Sequence, residues 1–285
     1  MFRVHYKLPL MAALAVVAIT PARAGEALFG YVYTAEVLPA GSVEAEQWVT
    51  DKIGQENGHF NIVELRTELE FGVTDRFQVA GYLNTKYENN SAAPGDAGLK
   101  FDGFSFEAIW QLKNPYKDSF GLALYAEPSL KPDETEFEIK LLTQKNLIDG
   151  RLILAANAVA EWAVEDEDNI TDPLNGQVIA AGGTEKISEL QLLLGASYRF
   201  APGWFIGAEY RYVTEFEGLG FEQRTASANY IGPTLHFAKG KWFGTLTWLT
   251  QFGANDYGPQ RAPLPGVTDP AVTTNGLRLK VGVLF

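Results

Sequence analysis

The sequence predicts an all-β fold, a single transmembrane antiparallel β-barrel of about twelve strands connected up and down. Apolar and polar residues alternate with a period of two along most of the chain, in segments longer than the strands of soluble proteins. Short connections between these segments alternate with longer ones. Successive side chains of a strand point to opposite faces, so each segment meets an apolar medium on one face only.

The first 24 residues have the pattern of a secretory signal peptide. A short basic start with Arg3 and Lys7 precedes an apolar run, and small residues end the run just before Gly25. The apolar run is shorter than the roughly 20 residues that a membrane-spanning helix needs. We therefore expect 1–24 to be a signal peptide that is removed during export.

Residues 25–41 precede the first predicted barrel strand. Phe29, Tyr31 and Tyr33 alternate there with smaller residues, and Pro39 and Gly41 close the segment. A thirteenth strand would place the two termini on opposite sides of the membrane. We interpret the segment as a pre-barrel N-terminal arm that either enters the lumen or lies along the rim.

Twelve barrel strands are predicted within 42–285. The alternation is clearest in 63–71, where Val, Leu and Phe share one face and four charged residues share the other. A tilted membrane strand needs about 9–11 residues, whereas the mean strand of a soluble protein has about 5–6. The predicted strands, all long enough to cross a bilayer, are 42–53, 60–73, 77–88, 101–113, 120–131, 135–146, 151–165, 185–200, 204–216, 223–238, 242–254 and 274–285.

The connections and the aromatic residues give the barrel an orientation. Connections after even-numbered strands are mostly short, as periplasmic turns are in outer-membrane barrels, so both termini should be periplasmic. Aromatic residues favour membrane–water interfaces, and one group of them lies near the short turns. A second group, assigned to the opposite interface, comprises Trp48, Tyr87, Phe104, Phe137, Trp162, Phe216 and Phe252.

Two features resemble known bacterial proteins. In the last strand Leu277, Leu279, Val281, Val283 and Phe285 alternate with less apolar residues, and this pattern resembles the C-terminal signal that the barrel-assembly machinery recognises. The opening Glu36-Val37-Leu38-Pro39-Ala40-Gly41, with the turn Val73-Thr74-Asp75-Arg76-Phe77, resembles a family of uncharacterised, porin-like bacterial outer-membrane β-barrel proteins. The resemblance implies an outer membrane of a Gram-negative bacterium, with lipid and lipopolysaccharide as neighbours, and carries no assigned chemistry.

If the apolar faces meet lipid, the opposite faces line a lumen. The predicted lumen-lining charges are Glu44, Glu46, Glu64, Arg66, Glu68, Glu70, Glu107, Glu127, Glu138, Lys140, Glu161, Glu209, Arg211, Arg278 and Lys280. Isolated ions in low dielectric cost several kcal/mol, so these groups should be paired or hydrated. Apolar residues on the same faces would narrow the lumen or contact an apolar solute; they are Ile109, Leu142, Val159, Leu193, Phe205 and Leu249.

The composition excludes several classes of function. A net charge of −12 argues against nucleic acid as a partner, and the absence of cysteine excludes thiolate metal sites and catalytic thiols. No cofactor or metal is predicted. After the signal peptide only His59 and His236 remain as catalytic bases, at opposite barrel ends and without a serine on the same strand face.

These observations favour a passive channel for a small cationic or polar solute through an acidic lumen. A structural or surface-interaction barrel with a closed lumen is the alternative, because twelve strands enclose less space than the sixteen of a typical porin. An outer-membrane hydrolase ranks third, and the sequence does not name a solute.

Overall fold

The computed structural model describes residues 27–54, 60–90, 98–166, 170–171, 178–180, 182–257 and 274–285. In these ranges twelve strands close into one antiparallel barrel, which confirms the predicted fold class. No helix long and apolar enough to cross a bilayer occurs among the described residues. The predicted signal peptide and His59 lie outside the described residues.

The strands lie close to the predicted ranges. The barrel strands are β1 (Val43–Ile53), β2 (Phe60–Thr74), β3 (Phe77–Asn90), β4 (Gly98–Lys113), β5 (Gly121–Leu130), β6 (Glu134–Leu147), β7 (Leu152–Asp166), β10 (Thr184–Ala201), β11 (Trp204–Glu217), β12 (Gln223–Lys239), β13 (Trp242–Asp256) and β14 (Asn275–Leu284). Two further strands, β8 (Ile170–Thr171) and β9 (Val178–Ala180), pair with each other in the connection from β7 to β10, where the sequence predicted a loop.

The barrel closes between its first and last strands. β1 and β14 pair antiparallel, with Trp48 opposite Lys280 and Val49 opposite Leu279. Every other barrel strand pairs with its neighbours along the chain, and β7 pairs with β10. Closure leaves no unpaired edge, as a strand protein in lipid requires.

The outer face of the barrel is apolar and the inner face is polar. On β14 the side chains of Leu277, Leu279 and Val281 are 38–41% exposed, whereas Lys280 between them is 3% exposed. The same alternation occurs on β2, where Leu69 is exposed and its neighbours Glu68 and Glu70 are buried. An apolar surface that encircles a closed barrel is suited to a bilayer and not to water.

Trp48 does not lie where the sequence analysis placed it. Its side chain is buried inside the barrel and packs against Tyr82, with ring centroids 5.8 Å apart, so its assignment to an outer aromatic belt is wrong. The reason is the strand period: Trp48 shares the inward face of β1 with Glu44 and Glu46. The pleat fixes the side on which a residue lies, whatever its preference for an interface.

Candidate functional site: the barrel interior

Residues 27–41, here called the N-terminal segment, lie inside the barrel and not along its rim. Phe29, Ala35 and Leu38 are completely buried. At one end the Ala27 carbonyl accepts a hydrogen bond from Thr245, close to the β12–β13 turn. At the other end the Gly41 backbone N–H donates to the Gly72 carbonyl (2.7 Å), close to the β2–β3 turn. The segment therefore crosses the lumen at the end that carries the short turns.

Glu209 on β11 holds the start of this segment. Its carboxylate accepts hydrogen bonds from the backbone N–H groups of Gly30 (2.8 Å), Tyr31 (2.7 Å) and Val32 (2.9 Å). Thr247 Oγ1 donates a further bond to Glu209 Oε1 (2.7 Å). Hydrogen bonds to an ionised acceptor are stronger than neutral ones, so four donors stabilise a charge that is 1% exposed.

Side-chain amides hold the rest of the segment by its backbone. Asn157 Oδ1 accepts from the Tyr33 N–H (2.7 Å), and Asn157 Nδ2 donates to the Tyr33 carbonyl (2.8 Å). The Ala35 N–H donates to Gln144 Oε1 (3.0 Å), and Gln111 Nε2 donates to the Ala35 carbonyl (2.8 Å). These amides supply the backbone hydrogen bonds that a neighbouring strand would otherwise give.

Apolar inward residues pack against the same segment. Val159, Leu193 and Phe205 form one cluster with Leu28, Phe29 and Val32. Ile109 and Leu142 form a second cluster with Ala35 and Val37. From the sequence, these inward residues were predicted to narrow the lumen or contact an apolar solute. In the structure they contact the chain's own N-terminal segment.

Two cations lie between aromatic rings in the middle of the lumen. The Arg66 guanidinium is 4.0 Å from the centroid of Tyr82 and forms an ion pair with Glu127 (2.6 Å). The Lys140 ammonium is 4.1 Å from the ring centroid of Tyr33 in the segment. Desolvated cation–π contacts contribute up to about 2 kcal/mol each.

Two further cations extend from β14. The Arg278 guanidinium is 4.1 Å from the ring centroid of Tyr31 and donates through Nη1 to the Gly30 carbonyl (3.2 Å). The Lys280 ammonium is 3.5 Å from the ring centroid of Trp48. Arg278 and Lys140, both predicted to line a lumen, thus contact Tyr31 and Tyr33 of the N-terminal segment, and Lys280 contacts Trp48 of β1.

A narrow cavity of about 50 Å³ remains between the segment and the wall formed by β1–β4 and β14. Its charged lining consists of Glu36, Glu46, Glu68, Glu70, Glu107 and Lys280. Carboxylate oxygens of Glu68, Glu70 and Glu107 lie within 4.8 Å of one another. The cavity thus brings one ammonium and five carboxyl groups together.

The end with the long connections is lined by half-exposed ion pairs. Lys52 pairs with Glu64 (2.5 Å), and Lys131 pairs with Glu136 (2.6 Å) and Glu134 (3.0 Å). Burial opposes the charge of Lys131, but the two carboxylates raise its pKa above the ordinary value. The ion pairs of this half are more exposed than the buried charged residues around the segment.

Comparison with known proteins places the chain in a family. The family of unknown function DUF6662 matches residues 21–285. The chain belongs to this family. This confirms the expectation of an uncharacterised family, and none of the curated proteins compared with this DUF6662 chain matches it.

Solved structures show the fold of this DUF6662 chain in outer-membrane proteins. The crystal structure of an outer membrane channel from Pseudomonas putida F1 is 11% identical, with a TM-score of 0.61, over 88% of this chain and 98% of that one. The NanC porin is 8% identical, with a TM-score of 0.50, over 85% of this chain and 98% of that one. The DUF6662 chain thus has the fold of an outer-membrane, porin-like β-barrel.

The structure places all the predicted lumen-lining charges of this DUF6662 chain away from the lipid-facing surface. Those buried are Glu44, Glu46, Glu68, Glu70, Glu107, Glu127, Glu209 and Lys280. Those half-buried are Glu64, Arg66, Glu138, Lys140, Glu161, Arg211 and Arg278. Their role in passage stays a prediction, as does the assembly role of the C-terminal residues from Leu277 to Phe285.

Several uncharged residues bind the segment and were not predicted from the sequence, among them Asn157, Gln144, Gln111 and Thr247. The alternation along each strand could have indicated them, since each of these residues lies on the inward face of its strand. His236, considered as a catalytic base, is buried and in hydrogen-bond contact with Thr245 (2.7 Å).

Proposed function

We propose that this protein is a passive outer-membrane channel for small polar solutes, with a preference for cations over anions. The acid-lined cavity beside the N-terminal segment carries the proposal. Glu68, Glu70 and Glu107 line this cavity in the short-turn half of the barrel, so a solute passing along this side would meet their carboxyl groups. A ring of carboxylates in a narrow, weakly hydrated passage lowers the energy of a cation and raises that of an anion.

The dimensions of the interior support a small solute. A volume of about 50 Å³ holds only a few water molecules, since a site for one water needs about 10–15 Å³. The half at the long-connection end, with its partly exposed ion pairs, would act as a polar entrance. Selectivity would then be decided at the short-turn end.

A closed, structural barrel is the competing proposal. It is favoured by the burial of Phe29, Ala35 and Leu38, which fill part of the lumen with protein. The shared fold with a channel and a porin favours passage. No catalytic role is proposed.

Ion selectivity tests the proposal directly. We would insert the purified barrel into planar bilayers and measure the reversal potential across a potassium chloride gradient. We expect a potential of the sign that potassium passage gives. In Glu68→Gln and Glu107→Gln the potential should move towards zero, because each variant removes a carboxylate but keeps its shape.

Asp149→Asn is the matched control, since Asp149 lies in the turn between β6 and β7 and its positive φ of 53° suits asparagine. It should leave the reversal potential unchanged. A potential of the opposite sign would contradict the cation preference. Absence of conductance in the wild type and in both glutamine variants would favour the closed barrel.

A further inference from the structure

We infer that the N-terminal segment is a displaceable plug, latched by Glu209, whose release controls the width of the proposed channel. The inference rests on the proposed channel function and adds a regulatory element to it. Three observations support the inference. The segment is bound through its backbone, the barrel wall is closed without it, and both of its ends lie at the same end of the barrel.

The barrel binds the segment as a docked peptide. Glu209, Asn157, Gln144, Gln111 and Gln78 each bond to its backbone, and they come from five different strands. Binding through the backbone does not add the segment to the sheet, because no residue from 27 to 42 belongs to a strand.

The barrel wall is complete without the segment. β1 pairs with β14 over ten residue positions from Glu44 to Ile53, so closure needs nothing from the N-terminus. Withdrawal of the segment would therefore break side-chain contacts and leave every backbone ladder of the barrel intact. Water can replace the hydrogen bonds that Glu209, Asn157 and Gln144 lose. The apolar wall residues of the two clusters would be exposed to water, and this exposure favours the docked state.

The geometry of the two ends permits withdrawal. Ala27 and Gly41 both lie beside short turns, so the segment enters and leaves the lumen at the same end. Pro39 and Ala40 are exposed and join the buried part to β1. The segment can leave towards that end without being threaded through the barrel.

Glu209 is the latch because it binds three consecutive backbone N–H groups at once. Glu209→Gln keeps the size of the side chain but removes its charge and turns one oxygen into an N–H₂ donor. In the wild type, Oε2 accepts from two of the backbone N–H groups and Oε1 accepts from the third. In either orientation of the glutamine amide, its NH₂ group would therefore face at least one backbone N–H, and that hydrogen bond would be lost. The variant should hold the segment more weakly than the wild type.

Thiol accessibility tests release independently of conduction. The chain has no cysteine, so Val32→Cys introduces a single thiol at a buried position of the segment. We would measure its reaction with a membrane-impermeant maleimide in reconstituted protein. Adding Glu209→Gln should speed the reaction about tenfold, the factor that corresponds to about 1.4 kcal/mol of lost binding. Adding Glu127→Gln, which removes a buried carboxylate paired with Arg66, should change it little.

Conductance supplies the second readout. Glu209→Gln and a deletion of residues 27–38 should both raise single-channel conductance, and a synthetic peptide of residues 27–38 should lower it again in the deletion variant. Unchanged thiol reactivity in Glu209→Gln together with unchanged conductance would overturn the plug and leave the channel standing. Faster thiol reaction without conductance in any variant would keep the plug and refute the channel. If the deletion variant does not fold, the two measurements on Glu209→Gln, thiol reactivity and conductance, decide.

Discussion

Single side chains of the inner face determine where the N-terminal segment lies. The side chain of Glu209 is long enough for its carboxylate to accept hydrogen bonds from three backbone N–H groups. The amide of Asn157 offers both the acceptor for the Tyr33 N–H and the donor for the Tyr33 carbonyl. Gly30 lets the backbone approach Thr247, because a Cβ at Gly30 would lie 2.6 Å from the Thr247 Cβ. At Gly30, hydrogen bonding to Glu209 and close packing against Thr247 therefore both fix the position of the segment.

Gly195 gives a steric test of this docking. A Cβ at Gly195 would lie 2.8 Å from the Phe29 ring, so Gly195→Ala should displace Phe29. We expect a loss of about 1–3 kcal/mol in the free energy of unfolding, the usual effect of overpacking, and faster thiol reaction in the Val32→Cys background. Denaturant titration and maleimide labelling measure the two effects.

Gly81→Ala on β3 is the matched control, because a Cβ there meets nothing within 4 Å. It should change neither quantity. If Gly195→Ala behaves like Gly81→Ala, then Phe29 does not pack on Gly195 as described.

The sequence could predict which charges face inward but not what they bind. The inward phase of Glu209 follows from its place between apolar residues of β11, which is local information. Its partnership with Gly30 joins residues 179 positions apart, and no local pattern encodes it. For Trp48 the local pattern was sufficient, because the alternation along β1 places it on the inward face. Its assignment to the outer belt was wrong because it relied on the preference of tryptophan for interfaces.

At the scale of the element, each strand presents one face to each medium. On β14 the exposed Leu279 lies beside the buried Lys280, and the alternation continues to the C-terminus. Strand ranges could be predicted to within a few residues because this pattern is local and long. β8 and β9 are too short to show a period. Whether residues 27–41 lie in the lumen or along the rim depended on long-range contacts.

Leu279 tests the lipid-facing side of β14. Leu279→Arg should lower the free energy of unfolding in vesicles by about 2–4 kcal/mol, because a charge near the middle of the bilayer is costly on the lipid face. Leu279→Phe keeps an apolar side chain and should cost much less. Equal stability of the arginine variant and the wild type would show that this face does not meet lipid.

At the scale of the whole molecule, a closed barrel with an apolar outer face has a charged inner face, and the chain's own N-terminal segment partly fills the interior. Closure through β1 and β14 satisfies the backbone and the outer face suits lipid, so the inner face is free to carry charge. The closed sheet was predictable from strand number and length. Filling of the lumen by the N-terminal segment was one of two predicted alternatives. The sequence did not decide between lumen and rim, because the hydrogen bonds that dock the segment join residues far apart in the chain.

Solute entry into liposomes tests the central claim, that small polar solutes pass through this interior. Liposomes containing the purified barrel should swell in a medium of urea, whose size suits a cavity of about 50 Å³, and should not swell in a medium of a trisaccharide. Swelling in urea at the rate of protein-free liposomes, for the wild type and the Glu209→Gln variant alike, would contradict the account.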